Sequence, residues 1–286
     1  MISEIASHFV NVLMLSSIYV LATLGFALVF SVMRIMNFAH GAVYMAGAYI
    51  CYYFWVVFGF NPWASLGLTM LVTALFGLFT EKFCFRPFQQ DFEKAIVMAI
   101  ALVIILQTAA NLTVGPTVKG LPSLLPATIA AGNIILKADR VAVLAICSLL
   151  LAVLTIFIRK TKVGEAMLAV AEDRDAAALQ GINTNHVSAL ACAMGFGLAG
   201  LAGGLVGSVL VLYVGMSDAI LVKIIAVVIL TGIGSIGGIW AGGLILGALD
   251  TLGPYFLPAP VSDSLGLALV ILILVIRPQG FFGQEA

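Results

Sequence analysis

Charge is what this 286-residue chain has least of: Asp, Glu, Lys and Arg make up 9 %, with 13 basic residues against 13 acidic. Nucleic-acid binding needs a basic excess, so no nucleic-acid partner is expected. No G-x-x-x-x-G-K-[ST] stretch occurs, and the chain therefore carries no recognisable ATP site of its own. H-E-x-x-H and G-x-S-x-G are also missing, which removes the residues of familiar peptidase and esterase chemistry. Cys51, Cys84, Cys147 and Cys192 are scattered, without a C-x-x-C pair, and read as small packing residues. The opening MISEIASHFVN has no basic residue, so it lacks the positive region of a secretory leader. The first apolar run is expected to stay in the mature protein.

What is present is apolar: 63 % of the residues are hydrophobic, and the mean hydropathy is +1.19. Runs of this kind belong in a bilayer. They fall near 9–33, 38–58, 62–80, 95–114, 141–158, 187–213, 219–233, 236–252 and 264–277. The expected fold is an all-α polytopic integral membrane protein with about eight to nine helical segments, forming one transmembrane domain over 1–286. The last three runs are shorter than the roughly 20 residues a straight span needs. Those at 219–233 and 236–252 are candidates for broken or re-entrant helices, which are tolerable where they line protein or a cavity.

Basic residues orient the chain. Alternation groups Arg34, Lys82, Arg86, Lys94, Arg159, Lys160, Lys162, Arg174 and Arg277 on one side, and only Lys119, Lys137 and Arg140 on the other. Short basic loops are held inside, so nine against three puts the N-terminus out and the C-terminus in. Lys223 lies near the end of a run, and Asp218 and Asp250 fall near predicted outer ends, where solvation accounts for them. The outer loop 115–140 has three prolines and three glycines, which argues against a long regular element.

The largest inner loop, 159–186, is polar. Within it Asp173 can cap a short helix with the body RDAAALQ, and Gly181 supplies a left-handed stop. Such a helix is about two turns long and needs packing to persist. Ala176, Ala177 and Ala178 allow close approach of a second backbone, and Asp173 and Asp175 sit at the positive end of the helix dipole. The shape suits a knob offered to a cytosolic partner; a solvated return loop is the alternative.

Asn37, His40, Gly41, Tyr44 and Ala48 repeat at three-to-four spacing and share one helix face. A polar, small stripe in a membrane borders either a solute path or another helix. No metal site is expected, because His40 has no carboxylate or second histidine nearby. Gln107 and Asn111 also share a face and suit a helix contact, with lining of the route as the alternative. Gly200/Gly204, Gly203/Gly207, Gly234/Gly238, Gly238/Gly242 and Gly243/Gly247 fit the small-xxx-small pattern of close helix packing.

Three stretches carry a family resemblance. MRIMNFAHGAVYMAGAYI resembles the first-loop signature of branched-chain amino acid ABC importer permeases, and GEAMLAVAEDRDAAALQGIN resembles their cytoplasmic coupling loop. The ending RPQGFFG is similar to their C-terminus, and the chain looks like the H-type subunit rather than the longer M-type. The resemblance implies a multi-pass inner-membrane permease, not an enzyme. Its implied partners are a homologous permease, two cytoplasmic ATPase subunits that hold ATP and magnesium, and an extracytoplasmic solute-binding protein. It implies a coupling role for Glu172, Asp173, Asp175, Ala177 and Gly181, and a path role for Asn37, His40, Gly41 and Tyr44. Many relatives carry an acidic residue after the His-Gly pair where this chain has Ala42, and that departure bears on substrate. Urea or short amides, moved by close relatives, remain alternative cargo, and a gradient-driven carrier is the alternative mechanism.

The sidedness is testable by single-cysteine labelling on a cysteine-free background. In intact cells an impermeant reagent should reach the 115–140 loop but not position 170; labelling of position 170 from outside overturns the assignment.

Overall fold

The computed structural model describes residues 2–89, 91–115, 117–131, 134–232, 236–277 and 280. Its described residues form eleven α-helices and one two-stranded hairpin. In chain order these are α1 (Ile2–Met33), α2 (Ala39–Tyr52), α3 (Pro62–Thr80), α4 (Phe92–Val114), α5 (Ala138–Lys160), α6 (Lys162–Glu172), α7 (Arg174–Leu179), α8 (Thr184–Gly207), α9 (Met216–Thr231), α10 (Ile236–Phe256) and α11 (Ala259–Ile276). A helix occupies each of the nine apolar runs. Among the described residues, five helical stretches are both long and apolar enough to cross a membrane: Glu4–Met33, Pro62–Phe88, Phe92–Val114, Ala138–Lys160 and Thr184–Gly207.

Local sequence sets several helix starts. Asn61 accepts from the Trp63 amide at 2.9 Å with Pro62 in the first position of α3, and Asp91 accepts from the Lys94 amide at 3.2 Å to start α4. Thr161 and Asn183 do the same for α6 and α8, at 3.0 and 3.1 Å. Gly115 and Gly232, at φ +79° and +87°, end α4 and α9 in backbone regions that a side chain would strain. Neither run within 219–252 is broken internally: α9 and α10 are each continuous helices, with Pro254 near the end of α10. Residues 233–235 between them, including Gly234, lie outside the described residues, as does most of RPQGFFG.

Burial sorts the helices within the bundle. The α1 and α8 spans are 78 % buried, against 22 % for α4 and 28 % for α5, so α1 and α8 are interior and α4 and α5 form the rim. The face of α3 turned to α8 carries Ser65, Thr69, Thr73, Gly77 and Thr80. Its hydroxyls are buried without cost because each donates to a carbonyl of its own helix or the adjoining turn, for instance Thr69 to Ser65 at 2.7 Å. The glycine pattern is real packing: a Cβ on Gly47 would lie 2.3 Å from the Cα of Gly200, and one on Gly203 would lie 2.0 Å from the Tyr44 carbonyl oxygen. The α2 and α8 backbones therefore touch. Gly243 and Gly247 bring α10 equally close to Val20 and Ser16 of α1.

The loops sort into two ends. At one, the 34–38 turn meets the end of α6, and the segment between α3 and α4 meets the start of α8. At the other, Lys119 pairs with Leu212, Arg140 donates to Asn11, and His8 packs edge-on against Tyr255 at 4.6 Å. The 115–140 loop is more regular than its composition suggests. Thr128–Ala131 (β1) pairs antiparallel with Ile134–Lys137 (β2), where β-branched and large apolar residues outweigh the flanking prolines. Among the four cysteines Cys51, Cys147 and Cys192 are buried and Cys84 is half-buried, all as free thiols.

Gly203→Val should therefore destabilise the fold far more than a change at Gly67, whose missing side chain faces open space. Overpacking costs about 1–3 kcal/mol, and here backbone rather than side chain would have to move. The thermal midpoint in detergent measures this: a large drop for Gly203→Val and none for Gly67→Ala is the expected result.

Candidate functional site

The 159–186 loop is built as two short helices. α6 is amphipathic, with Gly164, Met167 and Val170 buried at three-residue spacing. Gly164 is required there, because a Cβ would meet the Ile158 carbonyl oxygen at 2.3 Å. Asp173 then caps α7, its Oδ1 accepting from the amides of Asp175 at 2.9 Å and Ala176 at 3.0 Å. At the other end Gly181 has φ +82°, its amide donates to Ala178 at 3.0 Å, and Ile182 donates to Ala177 at 3.1 Å. This double bond pattern is a Schellman stop, so both ends of α7 are closed as its sequence predicts.

Side chains tie this element to the bundle. Arg34 donates to the Ala171 carbonyl at 2.6 Å, from a left-handed backbone at φ 55°. Arg174 donates to Gln89 at 2.8 Å, to Ser188 at 3.2 Å and to Asn185 at 3.3 Å. Burial holds its guanidinium below the usual arginine value, opposed by the charges of Glu81 and Asp175. Glu81 is itself fully buried and held by Arg86 at 2.6 and 3.0 Å. Turns from three parts of the chain thus converge on α6 and α7.

The stripe on α2 divides. Asn37 is buried and its Oδ1 accepts from the Ala39 amide at 3.1 Å, which starts α2. His40 is buried between Phe26 and Phe196, with ring centroids 5.7 and 6.2 Å away, and its Nε2 lies 3.0 Å from the Ala22 carbonyl. Gly41 packs against α9, where a Cβ would meet the Ser217 carbonyl at 2.3 Å. Tyr44 lines a cavity of about 190 Å³ with Tyr19, Tyr213 and Lys223. A second cavity of about 370 Å³ is lined by Tyr213, Asp218, Lys223 and Asp250.

These cavities hold charges that sequence reasoning set aside. Lys223 pairs with Asp250 at 2.5 Å, and the Asp250 side chain is only 6 % exposed. Tyr19 donates to the same carboxylate oxygen at 2.5 Å, and Lys223 stands 3.2 Å from the Tyr19 hydroxyl. Asp250 is therefore not a solvated end residue. Gln107 donates to Ser217 at 2.7 Å and Asp218 at 2.9 Å, the helix contact expected of it.

Comparison with known proteins identifies the transport class. The family model described as branched-chain amino acid transport system / permease component matches residues 8–276. The high-affinity branched-chain amino acid transport system permease protein BraD of Pseudomonas aeruginosa is 32 % identical over 96 % of this chain and 94 % of its own. The permease proteins named LivH of Salmonella typhimurium and Escherichia coli K12 show the same identity and coverage. The chain belongs to this permease family. No solved structure matches it significantly.

As a permease component it is a multi-pass membrane transport subunit rather than an enzyme, and its likeness to LivH bears out the H-type resemblance. The permease offers its α7 surface unevenly. Ala177 is 5 % exposed and turned into the chain's own body, whereas Leu179 is 88 % exposed. The alanine run alone did not reveal which side is covered, because that depends on α6 and α8. Val170 is also buried, so position 179 reads sidedness more directly than position 170.

The Arg34 tether and its backbone can be separated. Arg34→Ala loses the hydrogen bond and keeps the left-handed strain, whereas Arg34→Gly loses both. Arg34→Gly should be the more stable of the two by about 1–2 kcal/mol, read from thermal midpoints in detergent. Equal midpoints would remove the strain from this account.

Proposed function

We propose that this permease is one membrane half of an ATP-driven importer that carries branched-chain or other small amino acids inward. In this reading the N-terminus is outside, the C-terminus is inside, and 1–286 acts as a single transmembrane domain. A homologous permease completes the membrane unit, two ATPase subunits supply ATP and magnesium chemistry, and an external solute-binding protein delivers the cargo. α7 is the coupling element, with Glu172, Asp173, Asp175 and Leu179 on its contact surface, Ala177 as its inner anchor and Gly181 as its stop. Tyr44 borders the path, while Asn37, His40 and Gly41 hold the helix that presents it.

The observation that carries the coupling role is α7 itself: six residues closed at both ends, the last of them a leucine 88 % exposed. So exposed an apolar residue on so well-ordered a projection suits a groove on another protein. Arg174 ties α7 to the segment before α4 and to the start of α8, and Arg34 ties the adjoining α6 to the end of α1, so a push on α7 has a route into the bundle. A permease without its own nucleotide site needs such a contact.

The test is binding-protein-stimulated ATP hydrolysis in nanodiscs, paired with recovery of the ATPase on pull-down. Leu179→Glu places a charge in the contact, and Gly181→Val strains the stop by about 1–2 kcal/mol. Both should insert normally yet lose stimulated hydrolysis and leucine uptake. Normal recovery and normal stimulation in Leu179→Glu would dismiss α7 as the coupling element. Uptake of urea or amides in place of leucine would redirect the substrate, and uptake by this chain alone under a gradient would replace the mechanism.

A further inference from the structure

We propose that Lys223, Asp250 and Tyr19 form a station for the charged head of a zwitterionic amino acid inside this permease. Lys223 would take the α-carboxylate, and Asp250, positioned by Tyr19, would take the α-ammonium. The inference rests on the importer reading above, and deepens it by giving the cargo a binding chemistry.

The pair is an expensive feature to keep. Ion pairs removed from water are often replaceable by apolar residues without loss of stability, so stability alone is a weak reason for one. Ionisable groups inside membrane spans mark solute pathways more often than packing. Here Lys223 and Asp250 come from α9 and α10, and Tyr19 from the middle of α1, so three separate helices converge on one charged point.

The surroundings supply the second observation. Lys223 and Tyr213 line both cavities, of about 370 and 190 Å³, so the charged point stands at their junction. The remaining walls are largely apolar, including Val222, Leu246 and Leu267 on one side and Leu15, Val206 and Ile220 on the other. A few polar groups set in an apolar cavity are the usual form of a small-molecule site. The third charge lining the larger cavity, Asp218, is already engaged by Gln107.

Charge balance selects the ligand class. A zwitterion brings one positive and one negative group, so Lys223 and Asp250 can exchange each other for the ligand without leaving either charge unpaired. A simple anion or cation satisfies only one of them. Urea or a neutral amide offers no charge to compensate for separating the pair. The apolar walls then suit an aliphatic side chain over a polar one.

The test uses the assembled importer, with its partner permease, ATPases and binding protein, in proteoliposomes supplied with leucine. The double variant Lys223→Met/Asp250→Leu removes both charges together and leaves no unpaired charge. It should assemble and hydrolyse ATP at the basal rate, yet lose leucine uptake by about tenfold or more, the scale of one charge-assisted hydrogen bond. Unchanged uptake kinetics in the assembled double variant would overturn the station and leave the pair a packing feature. A second measurement leaves the pair intact: Ala219→Cys, on the wall shared by both cavities, in a background without the four native cysteines. Leucine should slow its thiol modification during turnover, whereas leucinamide, isocaproate and urea should not. Equal modification with and without leucine, or equal protection by the uncharged or singly charged analogues, would also overturn it. Absence of leucine uptake in the wild-type assembly would instead dismiss the amino-acid importer reading itself.

Discussion

The contact between the backbones of α2 and α8 is the constraint on which the rest of this permease depends. In a bilayer, helices gain little from burying apolar surface against one another, because lipid is equally apolar; depth of approach must come from small residues. Gly47 meeting Gly200, and Gly203 meeting the Tyr44 carbonyl, provide that depth at the centre of the bundle. Gly77 brings α3 onto the same helix at the Cys192 carbonyl, and Gly195 brings α1 onto it through Gly25. α8 thus serves as the common surface against which α1, α2 and α3 are all set. Tyr44 reaches its cavity, and His40 sits between two phenylalanine rings, as consequences of that docking.

A shared central helix also links the two ends of the molecule. α8 begins at Thr184, directly after its Asn183 cap and three residues after the Gly181 stop, beside the Arg174 contacts with Asn185 and Ser188. It runs from there through the glycine contacts to the 207–215 segment, where Gly207 accepts from Leu121 and Leu212 pairs with Lys119. Interfaces packed backbone to backbone deform poorly, so displacement of one end moves the helix as a body. α7 is joined to this helix by the short 180–183 turn and by the Arg174 contacts.

Buried charge follows the same economy. Glu81 is covered but held by two bonds from Arg86, and Asp250 is covered but held by Lys223 and Tyr19. Neither pair is visible as a motif: Glu81 and Arg86 lie in a stretch that reads as a basic loop, and Lys223 and Asp250 are 27 residues apart on different helices. Their difference is in what surrounds them. The first pair closes a turn at the end of α3, whereas the second stands where two cavities meet.

The helices and their punctuation follow from local sequence. Nine apolar runs became nine helices, because the bilayer requires every backbone group to be satisfied within its own segment and so makes span formation a local matter. Asp173, Asn183 and Gly181 acted as their chemistry dictates for the same reason: caps and left-handed stops involve residues only two to five positions apart. The glycine spacing also correctly announced close packing. What it could not announce was the partner of each close contact, since Gly47 and Gly200 come together only through the fold. Only the tertiary fold set Ala177 inward and Leu179 outward, brought Tyr44 to a cavity, placed His40 between Phe26 and Phe196, and joined Lys223 to Asp250. These are contacts between residues far apart in the chain, and composition and local spacing carry no information about which distant side chain will complete a charge.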